Sequence, residues 1–173
     1  MKMLRNSLLV FIQAVCLTAS AQSFFQNEYL AVWDRASAYT LEVAEAMPEE
    51  YYNFKPGGEG MSFQEQMVHI TQNIAFLAQK INGEIPVWGG VNQGKLLDKE
   101  EVIENLKTSL AYVTQLIKDS EAITLHERIT FGGDDVTKEH IFYLMRDHMA
   151  HHRGQAILHL RMNNIDAPAY RGW

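Results

Sequence analysis

Four stretches of the chain place apolar residues at three- and four-residue steps, and each is set off from the next by glycine, proline or asparagine. That period matches the turn of an α-helix, so each stretch carries one apolar stripe that must be covered. The first helix is expected from about Phe24 to Met47, with Phe25, Tyr29, Val32, Trp33, Ala36, Val43 and Met47 on its stripe and Pro48 as its stop. Pro48 to Gly60 reads as a short turn and a loop broken at Pro56-Gly57-Gly58. The second helix runs from about Phe63 to Ile81, capped by Ser62 with Glu65 three residues on, and carries Met67, Ile70, Ile74, Leu77 and Ile81. Asn82-Gly83 ends it, and a connection of about 15 residues follows, long enough to suggest a functional loop covering a site. The third helix spans about Lys99 to Ser120, with Asp98 and Glu101 as a second capping box and Val102, Leu106, Leu110, Val113 and Ile117 as its stripe. Glu121 to Asp135 is ambiguous: Ile123-Thr124-Leu125 and Arg128 to Phe131 are either extended pieces of a small hairpin or loop, and Gly132-Gly133-Asp134-Asp135 is a turn. The fourth helix runs from about Lys138 to Met162, capped by Thr137 and ended at Asn163-Asn164 and Pro168, before an aromatic tail from Tyr170 to Trp173. Four such helices pack most simply as an all-α four-helix bundle.

The first 21 of the 173 residues stand apart from this pattern. Lys2 and Arg5 precede an almost uncharged apolar run, Leu8 to Leu17, and Ala19-Ser20-Ala21 supplies small residues for cleavage. This is the order of a secretory signal peptide. The apolar run is about ten residues, whereas a membrane span needs about 20, so residues 1–21 are expected to be removed and 22–173 to form the domain. Val15 is branched where lipoprotein processing at Cys16 wants a small residue. The expected location is therefore periplasmic or extracellular, with no transmembrane segment in the mature protein.

Removing Lys2 and Arg5 leaves 13 basic against 21 acidic side chains, a net charge of −8. An acidic domain with no basic stripe is a poor partner for nucleic acid. The single cysteine leaves with the leader, so no disulfide, thiolate ligand or cysteine nucleophile remains.

Three of the seven histidines fall in Asp147-His148-Met149-Ala150-His151-His152. His148 and His152 are one helical turn apart, so both imidazoles share a face and can grip one ion. His151 points about 100° away from His152. A third ligand should come from a facing helix, and His69, beside Met67 and Ile70, is the best candidate. His126 and His140 sit near loops. His159 shares the face of His152 but lies roughly 10 Å along the axis, too far for one centre. Zinc proteases place a catalytic Glu directly after the first histidine of such a pair; here Met149 stands there.

The run from Asp147 to Gln155, followed by Leu160-Arg161-Met162-Asn163-Asn164-Ile165 and Pro168, resembles the closing motif of the DinB/YfiT-like superfamily of metal-binding four-helix bundles. Ser62 to Ile70 resembles its second-helix motif, and the likeness covers roughly residues 25 to 170. It implies three histidine ligands, which map by motif to His69, His148 and His152, and one divalent metal ion, zinc or nickel. It also implies homodimer formation. Some members are thiol transferases acting through a metal-bound small thiol, and others have no established activity. Gly154, costly inside a helix, either admits the close approach of another backbone or is merely tolerated. Arg153 and Gln155 are expected either beside the ligands or in bundle contacts.

The leading expectation is a metal-dependent enzyme that activates a thiol or water for transfer or hydrolysis of an unknown small-molecule substrate. Export works against the transferase reading, since small thiols are scarce outside the cytoplasm. The alternative is a non-catalytic metal- or ligand-binding bundle of the cell envelope. A haem bundle lacks a C-x-x-C-H attachment site. Glu65, Gln66, Asn73 and Asp147 lie near a ligand in sequence, but spacing assigns none of them as a general base.

Overall fold

The computed structural model describes residues 25–86, 88 and 97–172. The leader and most of the connection expected to cover a site lie outside these residues. Helix α1 occupies residues 25–46 and two short 3-10 turns follow, Glu49–Tyr51 and Pro56–Gly58. Then come α2 (Phe63–Asn82), α3 (Lys99–Asp119), a single turn α4 (Ala122–Leu125), β1 (Arg128–Phe131), β2 (Asp134–Thr137) and α5 (Lys138–Met162). The four long helices are those the apolar period predicts, and the protein is an all-α bundle with one small hairpin.

Helix ends follow from local chemistry. Ser62 Oγ accepts from Glu65 N–H at 3.1 Å while Glu65 accepts from Ser62 N–H at 2.6 Å. Asp98 and Glu101 repeat the arrangement on α3. Each cap stabilises its helix by about 1 kcal/mol, because it satisfies donors that have no intrahelical partner. Gly83, left-handed at φ 82°, closes α2. Asn164 takes φ 57° after α5, so that Asn164 N–H reaches Arg161 O and Ile165 N–H reaches Leu160 O. This is a Schellman ending made with asparagine, one of the few non-glycine residues that tolerate that backbone.

The region from Glu121 to Asp135 divides in two. Ile123-Thr124-Leu125 is not extended but helical, within α4. Arg128 to Phe131 is a strand, antiparallel to Asp134–Thr137 with Arg128 opposite Thr137. Asp134 and Asp135 therefore belong to β2, and only Gly132 and Gly133 turn the chain, at φ 63° and 95°. A charged four-residue strand gave little pattern to read; pairing with β1 and the Arg128–Asp135 ion pair decide it.

The expected stripes meet in one core. Met67, Ile70, Ile74, Leu77 and Ile81 of α2 are buried, as are Val102, Leu106, Leu110, Val113 and Ile117 of α3. Trp33 of α1 is fully buried and its indole N–H donates to Leu110 O of α3 at 3.3 Å. Tyr29 stacks beside it and bonds to Phe142 O of α5. Helix α2 packs more extensively on α5 than on α3. The two run antiparallel: Gln66 meets Gln155 and His152, while three residues later His69 meets His152 and His148.

Of the two readings of Gly154, the structure supports the one in which it is merely tolerated. It is exposed, and a Cβ built there would meet nothing within 4 Å. Among the described residues no backbone approaches it. Its neighbour Arg153 makes the interhelical contact instead, donating to Ala36 O at 3.0 Å and Thr40 Oγ1 at 3.2 Å over the face of Tyr39. With open space and helical backbone, Gly154→Ala should stabilise the fold by about 0.4–1 kcal/mol by reducing the freedom of the unfolded chain. Urea unfolding followed by circular dichroism checks the sign.

Candidate metal centre

The site grows from α2 and α5. The apolar stripe of α2 turns its face to α5, and His69 sits at the edge of that stripe, half-buried beside Ile70. On α5, His148 and His152 lie one turn apart, the first half-buried and the second buried. Ring centroids are 4.9 Å apart for His69 and His148, 4.5 Å for His69 and His152, and 4.4 Å for His148 and His152. One nitrogen from each ring can be chosen so that all three lie within 4.8 Å of one another.

The donor set suits a transition metal. Zinc–nitrogen bonds of about 2.0–2.1 Å in a tetrahedron put neighbouring nitrogens about 3.3 Å apart. His148 Nε2 and His152 Nε2 are separated by 3.2 Å. An N–H···N bond between two neutral rings would serve the same distance, but it leaves the convergence of a third imidazole without a reason. Burial lowers the pKa of all three, and for His148 and His152 burial together with the neighbouring imidazoles brings it to about 4. The rings are therefore neutral at pH 7, the state in which imidazole binds a metal.

These shifts give a prediction for the metal-free protein. Between pH 6.5 and about 4 the unfolded chain takes up protons at His148 and His152 that the folded chain refuses. Stability is therefore full above that window and falls as pH falls through it. The melting temperature should drop more steeply in wild type than in a His148→Gln/His152→Gln double variant. Equal slopes would show that these rings do not carry the effect.

The other histidines stay apart. His151 is exposed, within hydrogen-bond reach of Gln155. His126 is mostly exposed, 3.8 Å from Glu139, and His140 is exposed at the start of α5. His159 is buried between Phe54 and Phe63, with ring centroids 6.0 and 6.3 Å away.

Both carboxylates near a ligand in sequence are committed elsewhere. Glu65 caps α2 and pairs with Lys55 at 2.9 Å. Asp147 is exposed and pairs with Arg146 at 2.8 Å. Two glutamines take their place beside the histidines. Gln66, 1% exposed, accepts from His152 Nδ1 at 2.5 Å and donates to Gln155 Oε1 at 2.6 Å. Gln66 was visible in the sequence as a polar residue beside Met67 in a buried stripe, but periodicity does not say which ring it meets. Asn73, one turn beyond His69, has a buried carbonyl oxygen with no hydrogen-bond partner among the described residues.

A bundle whose second and last helices bring three imidazoles together defines a helical protein with a histidine triad that could hold a metal ion. The sequence profile of the DinB superfamily matches residues 33–156, a span containing all three histidines. The chain belongs to that superfamily. Its fold is similar to a DinB-like protein from Bacillus subtilis, with 20% identity, a TM-score of 0.68, and 84% of this chain and 99% of that one covered. A DinB-like protein from Bacillus cereus is 16% identical with a TM-score of 0.69, covering 82% and 95%. A conserved protein from Enterococcus faecalis is 17% identical with a TM-score of 0.65, covering 79% and 95%. No functionally curated protein matches the chain.

Proposed function

We propose that His69, His148 and His152 bind one divalent metal ion, zinc or nickel, and that the protein is a metal-dependent enzyme activating a thiol or water for transfer or hydrolysis. The observation that carries this is the convergence of three neutral imidazole nitrogens from two helices, with no carboxylate or thiolate joining them among the described residues. Three protein ligands leave a coordination position open, the arrangement of catalytic rather than structural sites. A metal in such a site lowers the pKa of a bound water or thiol toward neutrality. The chain's own part is to hold the rings in place and to keep them unprotonated. His69 and His148 are only half-buried, which leaves the site reachable from outside.

A second reading is supported by the two carboxylates. With Glu65 and Asp147 both engaged in surface pairs, neither acidic side chain flanking the ligands in sequence is free to act as a general base. That favours a non-catalytic metal- or ligand-binding bundle of the cell envelope. Metal titration followed by turnover with thiols, epoxides and esters separates the two. One equivalent of bound ion with metal-dependent turnover supports the enzyme; one equivalent without turnover supports the metal-binding protein; no bound ion refutes the metal site and leaves only a ligand-binding bundle.

The same reading places the protein outside the cytoplasm, supported by the charged, apolar, small-residue order of Met1 to Ala21. No helix among the described residues is long and apolar enough to cross a membrane. Intact mass of the protein from its natural compartment tests cleavage before Gln22.

A further inference from the structure

His152 is tied to His151 by an unbroken line of hydrogen bonds through two side-chain amides. His152 Nδ1 lies 2.5 Å from Gln66 Oε1, Gln66 Nε2 lies 2.6 Å from Gln155 Oε1, and Gln155 Nε2 lies 2.6 Å from His151 Nε2. The line starts at a buried ring, passes through a glutamine 1% exposed, and ends at an exposed one. An amide donates at one end and accepts at the other, so the line has only two self-consistent polarities. In the first, His152 Nδ1–H donates to Gln66, Gln66 donates to Gln155, and Gln155 donates to His151. In the second every bond reverses, and the amide nitrogen of Gln66 faces a bare His152 Nδ1.

The two polarities are not equivalent for the triad. A neutral imidazole carries one N–H. The first polarity puts it on Nδ1 and leaves His152 Nε2 as a lone pair, 3.2 Å from His148 Nε2. The second puts the proton on Nε2, into the space the three donors share, where it blocks an ion. The oxygen and nitrogen positions of both amides follow the first polarity.

We propose that Gln66 and Gln155 are positioning residues that hold His152 in its Nδ1–H tautomer and so present Nε2 to the shared centre. This rests on the three-histidine reading of the site. Gln66 does most of the work: it comes from the opposite helix, bonds the ring directly and is fully screened from water, whereas Gln155 aligns Gln66. His151 is the outer anchor of the line and no ligand.

The test uses the full mature chain, metal-free, with ¹⁵N-labelled histidine at pH 7.5, and zinc alone as the probe. Wild type should show His152 Nδ1 as the protonated nitrogen and Nε2 as the bare one. Gln66→Met, close in volume but without an acceptor, should give a mixture of tautomers and weaken zinc binding by about 10–100-fold, the usual cost of losing a ligand's hydrogen-bond partner. Gln66→Glu keeps the acceptor and should retain both the tautomer and the affinity. Its carboxylate has no N–H to give, so Gln155 must turn its nitrogen toward it and its carbonyl toward His151, whose tautomer should shift toward Nε2–H. A merely structural glutamine would not produce that distant reversal. Gln155→Met, farther from the core, provides the same tautomer readout if Gln66→Met folds poorly. A wild-type His152 protonated on Nε2, or a tautomer and zinc affinity indifferent to Gln66→Met, overturns the proposal. Absence of zinc binding in wild type with a Gln66-dependent tautomer instead overturns the three-histidine reading.

Discussion

Replacing any one of His69, His148 or His152 by alanine is expected to abolish tight metal binding, while His151→Ala leaves one equivalent bound. The reason is angular. Four residues advance 400° around a helix, so His152 lies about 40° from His148, whereas His151 lies about 100° from His152. The structure adds what the angle cannot: His69 comes in from α2, with its ring 4.5 Å from that of His152 and 4.9 Å from that of His148. A two-nitrogen remnant competes poorly with water and buffer, so the loss should be complete at micromolar metal rather than graded. All four variants should fold, because the buried stripes of α2, α3 and α5 do not include these rings as packing centres. Chelation of wild type should likewise leave the helical circular dichroism intact and lower only the melting temperature, since a ligand that binds the native state adds to its stability. Equal stoichiometry in wild type and His152→Ala would end the three-histidine model. Loss of metal in His151→Ala with a normal spectrum would move the site by one residue.

Trp33→Ala should destabilise the protein by about 3–5 kcal/mol, a large share of the 5–15 kcal/mol typical of a domain. Trp33 has no exposed surface, stacks on Tyr29 with ring centroids 6.4 Å apart, and bonds to a carbonyl of α3. Its removal leaves a cavity between helices that cannot collapse without moving α1, and it loses one hydrogen bond to Leu110 O, which keeps its bond from Thr114 Oγ1. Trp33→Phe should recover most of the packing but not the hydrogen bond, and so fall between the two. Denaturant unfolding measures both. A loss under 1 kcal/mol for the alanine variant would mean that α1 repacks freely and is not the buried element described above.

The histidine triad shows how far sequence reasoning reaches. The pairing of His148 with His152 is a consequence of helix period alone. His69 needed the further supposition that a facing helix supplies the third ring. Spacing could not tell that α2 and α5 lie antiparallel with His69 level with the pair; the meeting of their apolar faces decides that. Gly154 marks the limit in the other direction. A glycine inside a helix invites a packing explanation, yet the position is open to solvent, and the interhelical contact is made by Arg153 beside it.

The sequence by itself determined the four helices, their caps and the faces they bury, because each depends on neighbours no more than four residues away. The capping boxes at Ser62 and Asp98, the asparagine ending of α5 and the apolar stripes all belong to this local physics. Tertiary structure alone decided the strand pairing of Asp134–Thr137 and the line from His152 through Gln66 and Gln155 to His151. A glutamine amide has two ends and no preferred partner until burial removes water as the competitor. Only packing α2 against α5 does that, which is why the partners of Gln66 could not be read from its place in the chain.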